Sequence, residues 1–216
     1  MTGGRLVVLL IGTPLLLLII GGLAISEVAH FGQGTYHVQL SIPVRGHSVE
    51  ISLDSGDLRV RQLAAPQLQL AGTARYALVR STVTSRTTRS GVTVASACHF
   101  VSLVCSFDYQ VGMPAGTVET FSSGQGDITV TGITNPVVTA SEGAGNITLT
   151  FTRVPNRVQV TDAFGEVRIV LPRGLTVYNV ITHAQFGNAT IGVPTSSLSK
   201  HIINVTNSSG DIVISN

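Results

Sequence analysis

Apolar and polar residues alternate along much of this chain, and the alternation breaks again and again at a glycine. The breaks read "SGDLRV" at 55–60, "QGDITV" at 125–130, "AGNITL" at 144–149, "FGEVRI" at 164–169, "FGNATI" at 186–191 and "SGDIVI" at 209–214. Counted from the central glycine, the flanking columns agree. Two residues on stand Leu58, Ile128, Ile147, Val167, Ala189 and Ile212, and four residues on stand Val60, Val130, Leu149, Ile169, Ile191 and Ile214. Five residues back are Ile51, Phe121, Ala140, Val160, Thr182 and Val205, and seven back are Val49, Glu119, Val138, Val158, Val180 and Ile203. Alternation at period two marks strands with one buried face. The residue types, rich in Val, Ile, Thr and Phe, suit strands.

Each copy therefore reads as strand, glycine turn, strand, loop. The glycines are Gly56, Gly126, Gly145, Gly165, Gly187 and Gly210, the last five spaced by 19, 20, 22 and 23 residues. The polar residue after each is Asp57, Asp127, Asn146, Glu166, Asn188 or Asp211. Glycine supplies φ > 0 in a sharp turn, and a short polar side chain there accepts backbone N–H groups. Pro136, Pro155, Pro172 and Pro194 fall between the predicted strands, where a residue without an N–H belongs. A pair of strands this short cannot bury its apolar face alone, so the units are expected to stack, with rungs of about 20 residues. The pattern predicts an all-β chain, read as a stacked β-solenoid; an antiparallel β-sandwich satisfies the same columns. The segment between Gly56 and Gly126 breaks the spacing and predicts three or four further strands that cap or enter the stack.

The N-terminus changes the picture. Residues 6–26, "LVVLLIGTPLLLLIIGGLAIS", hold no charge, and about 20 such residues span a bilayer. A transmembrane helix or signal anchor is expected there, preceded by a cytoplasmic 1–5 and followed by a linker with the first strand, 27–47. The β-repeat domain is then 48–216, irregular over 64–116 and regular over 117–216. Arg5 ahead of the segment places the rest outside the cell. If "AIS" at 24–26 is a cleavage site, the chain is secreted instead. Either way the folded part is exported. Cys98 and Cys105 then sit where disulfides persist, and the pair is expected to be bonded.

Composition excludes more than it assigns. Charged residues are 11% of the chain, net charge is +2 and mean hydropathy is +0.40, so no basic field advertises nucleic acid. Six histidines show no metal-ligand spacing. There is no G-x-S-x-G elbow and no phosphate loop, and Asp108 and Glu119 are the nearest candidate carboxylate pair. The reading is of no enzyme, no cofactor and no metal. The turn acids offer one oxygen-bearing side chain per rung, short of the six to eight oxygens calcium takes. Between Asp57 and Asp108 there is no acidic residue but several arginines, of which Arg75, Arg80, Arg86 and Arg89 are candidates for contact with an anionic surface. The sequons at Asn146, Asn188, Asn204 and Asn207 are read as by-products of the repeat.

The apolar N-terminus, the cysteine pair, "YQVGMPAG" at 109–116 and the serial "SSGxGDITVTG"-type strands together resemble the bacterial putative-adhesin family of β-strand-repeat proteins. The resemblance spans about 35–216 and is strongest from 109 onward. It implies a right-handed, single-stacked β-solenoid. The copies "FGE" at 164–166 and "FGN" at 186–188 depart from the family's SGD. The function expected is a non-catalytic, membrane-anchored cell-surface scaffold, adhesive or partner-binding, whose partner is a protein or an envelope polymer. Envelope-stress regulators with a similar domain supply the alternative, a sensor acting through a membrane partner.

Overall fold

A computed structural model describes residues 33–216. The expected membrane segment at 6–26 and the start of the expected linker, 27–32, lie outside the described residues. Among the described residues no helix is long and apolar enough to cross a membrane.

The chain is all-β. Its strands are β1 (Gln33–Pro43), β2 (Ser48–Leu53), β3 (Leu58–Leu63), β4 (Gln67–Ala77), β5 (Thr82–Thr87), β6 (Gly91–Ala97), β7 (Cys105–Pro114), β8 (Val118–Ser123) and β9 (Ile128–Ile133). They continue with β10 (Val137–Glu142), β11 (Ile147–Phe151), β12 (Arg157–Phe164), β13 (Val167–Val170), β14 (Asn179–Phe186), β15 (Ala189–Ile191), β16 (Ile202–Ser209) and β17 (Ile212–Ser215). A nine-stranded sheet runs β1-β4-β7-β3-β9-β11-β13-β17-β15, and an eight-stranded sheet runs β14-β16-β12-β10-β8-β2-β6-β5. Each repeated phrase crosses at its glycine from the eight-stranded sheet to the nine-stranded one. The two strands of a copy therefore occupy the same level in opposite sheets; the six copies stack, and β6/β7 adds a seventh parallel level.

Pairing between levels is parallel and in register. Ile51 faces Phe121, Phe121 faces Ala140, and Ala140 faces Val160. In the other sheet Leu58, Ile128, Ile147, Val167 and Ile212 line up in the same way. The antiparallel alternative holds at one end alone, where β1 pairs with β4, β4 with β7, and β5 with β6. The four alternating columns read from the sequence meet between the sheets in one core. Their members are buried at every level but one, that of Gly187, where Ile191 is 40% exposed.

The levels are not visited in chain order. The last copy, β16 and β17, lies between β12/β13 and β14/β15. At the other end β2/β3 lies between β6/β7 and β8/β9. A coil climbing one level per copy, as the resemblance implied, would not do this. The apolar columns give the reason. The β14/β15 copy offers Thr182 and Ala189 where β16/β17 offers Val205 and Ile212. The better-patterned pair takes the position with neighbours on both sides, and the poorer one ends the stack.

Candidate functional site: a polar groove on the nine-stranded sheet

The repeat turns come first, because they show which polar groups are already occupied. Gly56, Gly126, Gly145, Gly165, Gly187 and Gly210 all have positive φ. They also stack directly on one another: a Cβ on Gly145 would lie 1.9 Å from the Gly126 carbonyl oxygen. Both facts demand glycine. Beside them runs a ladder in which one turn's side-chain oxygen takes the next turn's N–H. Asp57 Oδ1 accepts from Asp127 N–H at 3.1 Å, Asp127 Oδ1 from Asn146 at 2.8 Å, and Asn146 Oδ1 from Glu166 at 2.9 Å. Asp211 Oδ1 accepts from Asn188 N–H at 2.9 Å. Glu166 interrupts the ladder because its longer side chain turns to Arg168. These acids and amides bond their neighbours' backbone. Among the described residues no group of three His, Cys, Asp or Glu could hold a metal ion.

Cys98 and Cys105 are joined, and their Cα atoms lie 5.8 Å apart. The bridge closes the loop between β6 and β7, and the Cys98 N–H donates to Asp54 Oδ2 at 2.8 Å. His99 beside it stacks on Phe100. With both sulfurs bonded to each other, no thiolate is left to act with His99 as a metal ligand.

The four flagged arginines occupy separate surroundings. Arg75 on β4 pairs with Asp108 at 3.6 Å, and Arg80 lies 4.0 Å over the Tyr36 ring. Arg86 is on β5, opposite Thr93. Arg89, in the turn that follows, shares a shallow depression with Arg45, Thr87 and Thr88. Asp108 and Glu119 do not form a pair. Asp108 belongs to the nine-stranded sheet, at Arg75, whereas Glu119 belongs to the eight-stranded sheet and is buried against Asn135. Burial pushes the Glu119 carboxyl up to about 7 despite the Asn135 bond.

The carboxylates that do come together are Glu142 and Asp162, register partners on β10 and β12. They occupy the column three residues before the turn glycine, which continues through Ser123 and Asn207. All four are buried. Polar residues at an inward position of an alternating strand were the sequence signal for this column. Its burial keeps it from any polymer.

The accessible feature is a groove of about 600 Å³ on the nine-stranded sheet. It forms where the parallel part of that sheet meets the antiparallel β4 and β1. Gly112 lies in its floor: a Cβ there would lie 2.1 Å from Leu63 Cδ1 and would push that side chain aside. In "LRVRQL" of β3, Leu58 and Val60 point to the core, which sends Arg59 and Arg61 outward. Gln39, Gln69 and Gln110 join them in the groove lining from β1, β4 and β7. Arg59 donates to Asp57 at 2.7 Å, and Arg61 makes no ion pair among the described residues. The lining thus offers one compensated guanidinium, one uncompensated guanidinium and three amides. It contains no His, Cys, Asp or Glu to serve as base or nucleophile.

The sequence profile of the family described as Toastrack DUF4097 matches residues 25–215. No curated protein matches the chain. A crystal structure of a putative cell adhesion protein from Clostridium sporogenes superposes with a TM-score of 0.57 at 14% identity, covering 85% of this chain and 99% of that one. A putative adhesin from Bacteroides fragilis gives 0.34 at 11% identity, covering 83% and 97%. One from Parabacteroides merdae gives 0.28 at 11%, covering 85% and 96%. The first of these likenesses carries the fold, and the profile match over most of the chain carries the family: the chain belongs to Toastrack DUF4097.

Proposed function

We propose that this Toastrack DUF4097 member is a non-catalytic binding scaffold, exported and held to the membrane by residues 6–26, and that its groove takes an anionic, hydroxyl-rich envelope polymer. The observation that carries the reading is the lining. Arg59 and Arg61 sit on neighbouring outward positions of one strand, beside three glutamine amides, in a depression with no catalytic group. Guanidinium groups bind phosphate or carboxylate in a forked geometry, and amides match hydroxyls in either direction. The rigid stacked sheets hold these side chains at fixed spacings, as a repeating polymer requires. We read the seven in-register levels as the body of a β-solenoid whose end rungs are interchanged. The role named for the Clostridium sporogenes protein, cell adhesion, is of the same class.

The test is binding of full-length protein in detergent to labelled dextran sulfate, with neutral dextran beside it. Binding is expected to the sulfated polymer and not to the neutral one, and to weaken as salt rises. The Arg59→Ser/Arg61→Ser double variant is expected to lose at least about tenfold in affinity, roughly the 1.4 kcal/mol of one charge-assisted bond. An Arg86→Ser/Arg89→Ser variant is expected to match the parent. Equal loss in both variants would remove the groove from the proposal. Capture of one membrane protein through Arg59 and Arg61, with no polymer binding, would favour the sensor alternative.

A further inference from the structure

The two sheets end together at β14 and β15. Among the described residues nothing pairs with these strands on their outer sides, apart from a bridge between Thr195 and Tyr178 just ahead of β14. A free strand edge is a template for another strand, and proteins blunt such edges with charge, proline or cover. This edge has neither charge nor proline in its strands, and the 194–199 loop covers only its start, at Val177, Tyr178 and Asn179. Residues 174–199 contain no Asp, Glu, Lys or Arg, and no proline falls within β14 or β15. The opposite end is treated differently: β1, β4 and β5 fold back antiparallel over it, and β5 carries Arg86.

The open end is also apolar. Ile191 stands in a column whose members at every other level are at most 3% exposed, yet it is 40% exposed itself. Ile181 and Phe186 on β14 are 51% and 69% exposed. The turn ladder stops here as well. Asn188 gives its N–H to Asp211, and its own side chain has no hydrogen-bond partner among the described residues.

We propose that this end is a dimer surface, on which two copies of the chain meet about a twofold axis. β14 then pairs antiparallel with its counterpart in the second copy, and β15 does the same. The choice of occupant follows from the geometry. A partner must present two strand edges at once, separated like two packed sheets by about 10 Å, and must be uncharged. The same end of a second copy meets both conditions by construction, because a twofold interface matches a surface to itself. The groove on the nine-stranded sheet lies levels away and plays no part in this inference.

The experiment uses the full chain in detergent micelles. Light scattering measures the protein mass as concentration is raised, for the parent and for the Ile181→Lys/Ile191→Lys double variant. Both positions are at least 40% exposed, so the circular dichroism spectrum is expected to be unchanged and to show that the variant is folded. The parent is expected to reach twice the chain mass and the variant to stay at one. Because the N-terminal segment could also bring chains together, a second measurement locates the contact. A spin label on Thr190→Cys reports the distance between copies, the two native cysteines being bonded to each other. Paired strands lie about 4.8 Å apart, so labels at this end fall within about 30 Å, while a dimer through the far end places them about 80 Å apart. A single-chain mass for the parent at every concentration, a dimer that survives the two lysines, or a long label distance would each overturn the proposal.

Discussion

Glu142 on β10 and Asp162 on β12 are register partners on adjacent parallel strands, and both are buried between the sheets. Burial raises both carboxyls, Glu142 to about 7 and Asp162 to about 6. Backbone N–H groups of Ala144 and Gly143 offset part of the rise at Glu142, and the like charge on Asp162 adds to it. A raised folded pKa means that the native state holds protons the unfolded chain has lost. Stability from these groups is complete below the unfolded values, near 4, and is lost as pH climbs to about 7. Melting temperature is therefore expected to fall from pH 4.5 to pH 7.5. In a Glu142→Gln/Asp162→Asn variant the slope is expected to flatten, which thermal scans across that range measure. An equally steep fall in the variant would shift the effect to Glu119.

Gly145 and Gly116 both have positive φ, but only the first has a neighbour in the way. A Cβ on Gly145 meets the Gly126 carbonyl, whereas nothing lies within 4 Å of one on Gly116. Gly145→Ala is expected to cost about 3 kcal/mol or more, from backbone strain and separation of the rungs together. Gly116→Ala is expected to cost about 1 kcal/mol, the backbone term alone. Urea unfolding of the two variants separates the terms.

Ile214 and Ile191 stand in the same column one level apart, the first fully buried and the second 40% exposed. Ile214→Ala is expected to lose about 2–5 kcal/mol, and Ile191→Ala under about 1 kcal/mol in the monomer. Comparable losses would mean that the end level is covered in solution, so the pair is best measured at low protein concentration.

The Cys98–Cys105 bond closes a short loop, with a sequence separation of 7. Chain entropy assigns such a closure about 2–3 kcal/mol. Cys98→Ser/Cys105→Ser is expected to lower the midpoint of urea unfolding accordingly and to leave polymer binding unchanged, since neither residue lines the groove.

The sequence made the strands, the core columns and the glycine turns visible, because burial on one face forces a period of two and stacking forces a fixed turn. Val60, Val130, Leu149, Ile169 and Ile214 were all readable on that ground. The groove was half visible. Arg59 and Arg61 fell in the acid-free stretch, but four other arginines in that stretch were singled out instead, and the structure disperses those four. What brings Arg59 near Gln110 and Gln69 is the pairing of β3 with β7 and of β7 with β4, a long-range choice that no local pattern encodes. The exchange of the last two copies was hidden for the same reason. Each copy satisfies the same columns, and the preference for Val205 over Thr182 in an inner position emerges only when neighbours compete. The buried pair Glu142 and Asp162 stands three residues before each turn, in a column whose polar side chains set it apart from the apolar ones.

The interchange of the final levels fixes the order in which they can be laid down. When residues 179–191 leave the ribosome, the place beside β12 and β13 that they will flank belongs to residues not yet made. Those residues are 202–215. Loss of β16 and β17 would remove an inner layer rather than a fringe, and β14 and β15 would have nothing to hold them to β12 and β13. The fringe of the stack is thus made before the layer that carries it.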